Sequence, residues 1–137
     1  MIKKLSAEFL GSLFLGASII GSGIMGSILT RDIAIQLFIN MSATVFMLFL
    51  IITLFGPISG GHFNPVVTLA DLFQKRMSVQ LAIYYVLVQI VGGTIGVFIA
   101  NLMFNRKAID PSTYGRSGNY LFLAEVVATA GLILIIH

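Results

Sequence analysis

Long, uninterrupted runs of apolar residues constrain this chain more than any other feature. Three of them cover residues 5–29, 33–55 and 79–104, and a shorter one covers 120–136. A helix needs about 20 apolar residues to cross the roughly 30 Å hydrocarbon core of a bilayer. The runs are continuous, whereas the strands of a membrane β-barrel alternate between apolar and polar residues. They predict an all-α membrane protein with four spans, the last of which is barely long enough.

The composition agrees with a membrane protein. The 137 residues are 58% hydrophobic and 9% charged, whereas soluble domains contain about 25% charged residues. The net charge of +3 is dispersed, so nucleic acid is not an expected partner. The chain has no cysteine and carries no nucleotide-binding motif. We therefore expect no cofactor and no metal–thiolate site.

The basic residues give only a weak indication of orientation. With the N-terminus inside, the cytoplasmic side holds Lys3, Lys4, Lys75 and Arg76, and the outer side holds Arg31, Arg106, Lys107 and Arg116. This count is tied, so the excess of cytoplasmic Lys and Arg that usually sets orientation is absent. Because a lysine pair directly precedes the first span, we expect a multi-pass protein of the plasma (inner) membrane with a cytoplasmic N-terminus.

The segment between the second and third spans fits neither a span nor an ordinary loop. Residues 56–63 are rich in glycine and are expected to form an extended loop. Asn64 is a good N-cap, and Pro65 suits the first helical position, where its missing N–H costs nothing. The helix predicted over 64–73 is half a membrane thickness, which is typical of a re-entrant segment. Irregular backbone at that depth must be buried in protein or line a water-filled cavity.

Two glutamates inside predicted spans indicate an internal repeat. Glu8 and Glu125 each lie near the start of a span, and each is followed four positions later by a hydroxyl residue. Since three spans separate the two copies, the second copy is expected to be inverted. We predict a first repeat over residues 1–118, followed by the first helix of an incomplete second repeat over residues 119–137.

The sequence S-G-G-H-F-N-P-V-V-T over residues 59–68 resembles the first signature loop of the aquaporin (major intrinsic protein) family, S-G-x-H-x-N-P-A-V-T. The segments Ala7-Glu8-Phe9 and Ala124-Glu125 are similar to the family's paired buried glutamates. The resemblance extends from Lys3 to His137. It implies an hourglass of six spans and two half-helices that meet at mid-membrane, usually in a tetramer with one pore per subunit.

The resemblance also implies roles for individual residues. Asn64, Pro65 and Val66 occupy the signature at the constriction, where Val66 replaces the usual alanine. Thr44, twenty residues before Asn64, stands where the family commonly places an aromatic residue of the selectivity filter, so a wider and more polar filter is implied. The backbone carbonyls expected to line the pore belong to Gly60, Gly61, His62 and Phe63.

Glu8 and Glu125 are expected to be buried and to accept N–H bonds from the re-entrant loops, although a proton relay is the sharper alternative for an ionisable group inside a membrane. His62 is expected to make a structural hydrogen bond. A metal site at His62 is not expected, because no second His or Cys lies nearby and Asp71 is a helix away.

The expected function is therefore a passive channel for water or small uncharged solutes such as glycerol. Its partners are the lipid bilayer, the solute and further copies of the chain, with a tetramer implied by the resemblance. Two alternatives stay open: a non-conducting fragment or subunit that needs a partner chain, and a small dual-topology secondary transporter. An enzyme is not expected, because Ser59 and His62 share a loop without any further sign of a nucleophile, base and oxyanion site.

Overall fold

The computed structural model describes residues 1–109, 115 and 117–136. The helices are α1 (Ile2–Leu29), α2 (Ile33–Ser59), α3 (Pro65–Phe73), α4 (Val79–Met103) and α5 (Asn119–Ile136). All but α3 are long and apolar enough to cross a membrane. The described residues contain no strand. The predicted all-α membrane fold is confirmed.

The second span ends later than the sequence predicts. α2 continues through Gly56 and Pro57 to Ser59, so the expectation of an extended loop from Gly56 onward is wrong. Proline removes one hydrogen bond from the helical ladder. The last turn is nevertheless closed, because the Gly60 N–H donates to the Gly56 carbonyl at 2.9 Å and the Ser59 hydroxyl donates to Glu8 Oε1 at 2.6 Å.

α1 packs closely against α4 at glycines of α4. Gly92 and Gly96 lie so near the carbonyls of Phe9 and Leu13 that a side chain at either glycine would overlap the α1 backbone. Small residues four positions apart allow this approach in membrane helices, where no hydrophobic effect drives helices together. The spacing of Gly92 and Gly96 therefore accounts for the close packing of α1 and α4.

Polar side chains join α1 to α2. The Asn40 Nδ2 group donates to the Ile19 carbonyl at 2.7 Å and to Ser22 Oγ at 3.0 Å. The Ser18 hydroxyl donates to the Ala43 carbonyl at 3.3 Å. α1 is therefore the central helix of the described structure, with α2 and α4 packed against it.

Other helix faces are apolar and uncovered. Phe46, at the middle of α2, is 72% exposed, and the described side chains of α5 include no buried residue. Apolar surface of this extent is covered by lipid or by further protein. Residues 110–114 and 116, between α4 and α5, and His137 lie outside the described residues.

Candidate functional site

The short helix α3 begins at the asparagine–proline step. Asn64 is the N-cap, and its side-chain oxygen accepts the Val66 N–H at 2.8 Å. Pro65 occupies the first helical position. Nine residues of helix measure about 14 Å, roughly half of the hydrocarbon core. The exposed cations Lys75 and Arg76 follow its C-terminal end.

The loop before α3 is folded rather than extended. Gly60 has φ +98° and ψ −13°, Gly61 has φ +70° and Phe63 has φ +47°. Glycine adopts these left-handed conformations without steric cost, but a phenylalanine does so at a cost of roughly 1–2 kcal/mol. The expectation of extended backbone at Gly60 and Gly61 is wrong, because the chain must reverse direction within a few residues between α2 and α3.

Phe63 keeps its strained conformation because both its backbone and its ring have partners. Its N–H donates to Glu8 Oε2 at 2.8 Å. Its ring is buried against Gly11, where any side chain would overlap the ring. The ring edge also contacts Phe55, with centroids 6.4 Å apart. Strain of this kind persists only where the surroundings fix it.

Glu8 is the centre of the polar interactions that hold the loop. Its side chain is 0% exposed. Oε1 accepts from the Ser59 hydroxyl at 2.6 Å and the His62 N–H at 3.0 Å. Oε2 accepts from the Phe63 N–H and from Gln89 Nε2, both at 2.8 Å. Four donors around one carboxyl group suit an ionised carboxylate, which only accepts hydrogen bonds.

Three polar residues complete the network and were not predicted as site residues. Gln89 Nε2 also lies 3.0 Å from Thr68 Oγ1, and the Tyr85 hydroxyl donates to the Ser59 carbonyl at 2.7 Å. Gln89, Tyr85 and Thr68 are all buried. The sequence does contain a signal for Gln89, because it is a polar side chain inside the apolar run of α4. Polar groups in membrane helices require partners, so such a residue indicates a buried hydrogen bond.

His62 contacts α3 with both ring nitrogens. Nδ1 lies 3.0 Å from Thr68 Oγ1, and Nε2 lies 3.1 Å from Asp71 Oδ2. The expectation that Asp71 is too far from His62 is wrong, because the imidazole lies along the side of α3 and reaches its last turn. The described residues contain no group of three or more His, Cys, Asp or Glu that could hold a metal ion.

The structure does not bring Thr44 and Glu125 into this cluster. Thr44 is half-buried in α2, and its hydroxyl donates to the Asn40 carbonyl at 2.8 Å. Glu125 is exposed, so the expectation of a second buried carboxylate is wrong for this structure. The reason is physical: α5 contacts only α3, and no described element covers the face that carries Glu125.

The loop before α3 also carries backbone carbonyl oxygens that no hydrogen bond within the described part of the chain uses. Among the described residues, none of the hydrogen bonds ends on the carbonyl oxygens of residues 60–63. A backbone carbonyl is a strong acceptor that normally has a partner in protein or water. These oxygens and the Asn64 amide are therefore available to a polar molecule beside the N-terminal end of α3.

Comparison with known proteins now decides the family. The model of the major intrinsic protein family matches residues 1–137. The chain belongs to the major intrinsic protein family. The resemblance stated from the signature loop is confirmed, and so is the expectation that the protein is not an enzyme, since the members of this family are membrane channels.

Individual relatives agree with this assignment. The chain is 38% identical to "Aquaglyceroporin AqpS" of Rhizobium meliloti over 77% of its own length and 45% of the relative. It is 32% identical to "Probable aquaporin TIP-type alpha" of Phaseolus vulgaris, over 69% of its own length and 38% of that relative. It is 31% identical to "Glycerol uptake facilitator protein-like 6" of Lactiplantibacillus plantarum, over 98% of its own length and 62% of that relative. The chain thus spans about half the length of these major intrinsic proteins. No solved structure matches it.

Proposed function

We propose that this chain supplies one half of a pore for the passive passage of water and small uncharged solutes. The observation that carries the proposal is the N-terminal end of α3, where Asn64 caps the half-helix and where, among the described residues, no hydrogen bond ends on the carbonyls of residues 60–63. Asn64, Pro65 and Val66 form the constriction in this account. The carbonyls of Gly60, Gly61, His62 and Phe63 form the adjoining wall.

The electrostatics of this arrangement favour neutral solutes over cations. The first turn of a helix carries the equivalent of about half a positive charge. A cation that approaches Asn64 meets this charge at a depth where water screens it little. A neutral solute instead exchanges part of its hydration for hydrogen bonds with the amide and the carbonyls. The Glu8 carboxylate, which accepts the N–H of the neighbouring residue Phe63, is fully buried and hydrogen-bonded on both oxygens.

The small size of Thr44 is the basis for proposing that solutes larger than water also pass. A threonine is smaller than the aromatic residue that the family commonly has at this position, so the filter is wider and more polar. Relatives named an aquaglyceroporin and a glycerol uptake facilitator protein support the same solute class. We propose glycerol-like neutral molecules together with water.

The remaining wall of the pore comes from polypeptide beyond these residues. A cavity of about 340 Å³ opens between α1 and α4, with Phe63 and Pro65 among its lining residues. Ser12 lines it too, and its hydroxyl is buried without a partner among the described residues. The match to the aquaglyceroporin of Rhizobium meliloti covers 45% of that relative. We propose a homo-oligomer, a tetramer by family resemblance, in the plasma (inner) membrane with the N-terminus in the cytoplasm.

Stopped-flow shrinkage of proteoliposomes tests the proposal. Thr44→Phe is expected to lower glycerol flux on the order of tenfold and water flux by less than about twofold, because pore diameter limits the larger solute first. The matched control is Thr53→Phe, since Thr53 is an exposed α2 residue whose hydroxyl makes the same bond to the carbonyl four residues earlier. Equal loss of both fluxes in the two variants would contradict the role of Thr44.

The same vesicles separate the alternatives. A channel gives flux that rises linearly with the gradient and ignores proton uncouplers, whereas a secondary transporter gives saturable flux that requires Glu8 or Glu125. Shrinkage equal to that of protein-free vesicles indicates a non-conducting chain that needs a partner. Mixing with a chain that carries the second half of a relative then shows whether conduction can be restored.

A further inference from the structure

The contact between the His62 ring and the Asp71 carboxyl group lies outside the set of hydrogen bonds that end on Glu8. The His62 side chain is 8% exposed and that of Asp71 is 18% exposed, so water competes little for their contact. The distance from Nε2 to Oδ2 is 3.1 Å. This pair joins the loop before α3 to the last turn of α3, across nearly the whole length of the half-helix.

The stability of α3 does not explain why the residue at position 71 is acidic. Asp71 lies in the last turn of α3, which ends at Phe73. The C-terminal end of a helix carries partial negative charge and disfavours a carboxylate. The nearby Arg76, whose Nη1 lies 3.6 Å from Asp71 Oδ1, offsets part of this cost but is half exposed. The contact of Asp71 with His62 is shorter, at 3.1 Å, and more buried than its contact with Arg76.

We propose that Asp71 is a positioning residue that keeps a proton on Nε2 of His62 and so fixes the direction of the hydrogen bond between His62 and Thr68. A carboxylate only accepts hydrogen bonds, so Nε2 must donate to it. In the neutral ring, Nδ1 then carries a lone pair and accepts the Thr68 hydroxyl proton at 3.0 Å. The opposite tautomer would place the Nε2 lone pair against the carboxylate oxygen.

The same donor-to-acceptor direction continues from His62 through Thr68 and Gln89 to Glu8. When Thr68 donates to His62, its oxygen is left to accept from Gln89 Nε2 at 3.0 Å. The second Gln89 proton is donated to Glu8 Oε2 at 2.8 Å. Each proton then has one acceptor, from Asp71 through to the carboxylate that binds the loop. If Nδ1 carried the proton instead, the Thr68 hydroxyl would have to donate to the Asn64 carbonyl at 3.2 Å or to Gln89 Oε1 at 3.5 Å.

The other titratable groups around His62 do not select the tautomer. Glu8 accepts the main-chain N–H of His62 rather than a ring proton. The ring of Tyr85 contacts the imidazole edge-on at 5.3 Å, and its hydroxyl donates to a carbonyl. Arg76 contacts Asp71 Oδ1 at 3.6 Å. Protonation of His62 would add a proton at Nδ1 and turn the Thr68 hydroxyl, but would leave the Asp71 bond in place.

Nitrogen NMR of the histidine ring tests this inference directly. The chain has two histidines, so ¹⁵N-histidine labelling of the full chain in lipid nanodiscs, with His137→Gln for assignment, gives the His62 signals alone. For the neutral ring we expect a protonated Nε2 and an unprotonated Nδ1. A protonated Nδ1 with an unprotonated Nε2 in the wild-type chain would overturn the inference, whatever the variants do.

Asp71→Asn and Asp32→Asn are the matched variants. An amide at position 71 can either accept from or donate to Nε2, so we expect a mixture of tautomers and amide exchange at His62 and Phe63 on the order of tenfold faster. Asp32 caps α2 far along the chain, and asparagine caps equally well, so this control should match the wild type. An unchanged Asp71→Asn spectrum, or the same change in both variants, would overturn the inference. Any effect of Asp71→Asn on solute flux rests on the proposed function, whereas the spectrum does not, so the two can fail separately.

Discussion

Replacing Glu8 by alanine is expected to lower the free energy of unfolding by about 4 kcal/mol and to release the loop before α3. The substitution removes the acceptor of four hydrogen bonds, two of them from loop N–H groups. Each buried donor left without an acceptor costs about 1–3 kcal/mol, and breaking a buried charged cluster costs about 3–5 kcal/mol in total. The left-handed conformation of Phe63 would then lose the bond that holds it.

The second glutamate of the repeat is the matched control. Glu125 lies at the corresponding place in α5 but is exposed, so Glu125→Ala is expected to change stability by less than about 0.5 kcal/mol. Reversible unfolding of the detergent-solubilised chain by added denaturing detergent, followed by helix content, measures both variants. Amide exchange at His62 and Phe63 reports the loop separately. Equal stability of the two variants would contradict the bracing role of Glu8.

Asn64→Asp is expected to leave the fold intact and to change which solutes pass. Aspartate caps helices as well as asparagine does, so the bond to the Val66 N–H survives. The added negative charge outweighs the half positive charge of the helix end. At an effective dielectric of about 20, two charges 4 Å apart interact by roughly 4 kcal/mol. We therefore expect cation leak to rise on the order of tenfold or more, and neutral solute flux to fall.

The comparison for this variant is Asn105→Asp, which adds the same charge at an exposed position after α4. Potassium leak and glycerol-driven shrinkage are measured in the same proteoliposome preparations, with a partner chain if the chain alone does not conduct. Equal leak in both variants would show that position 64 is not in the permeation path. A large loss of helix content in Asn64→Asp would show instead that capping at this position differs from other helices.

Much of the architecture can be predicted from the sequence because it depends on local signals. The apolar runs identify the spans, and Asn64-Pro65 marks the start of α3 because capping and a fixed proline φ act within a few residues. Gly92 and Gly96 indicate close packing for the same reason. Each of these features can be recognised without knowing which other helix lies nearby.

The remaining details depend on contacts between distant parts of the chain. Gln89 reaches Glu8 across 81 residues, and no periodicity predicts that pairing. The contact of His62 with Asp71 depends on the left-handed turn that aims the loop along α3. Whether Glu125 is buried depends on which elements pack on α5. The residues next to Glu125 in the sequence therefore could not predict that it is exposed in this structure.

The central claim is that the N-terminal end of α3 lies halfway through the bilayer beside water. Because the chain has no cysteine, single thiols at Val66, which is 41% exposed, at Phe46, which is 72% exposed at the middle of α2, and at Lys75 can be compared in vesicles. Spin labels report depth, and a charged thiol reagent reports contact with water. We predict that positions 66 and 46 lie equally deep but that only position 66 reacts, while position 75 lies at the surface and reacts. A position 66 at the depth of position 75, or one as unreactive as position 46, would contradict the account.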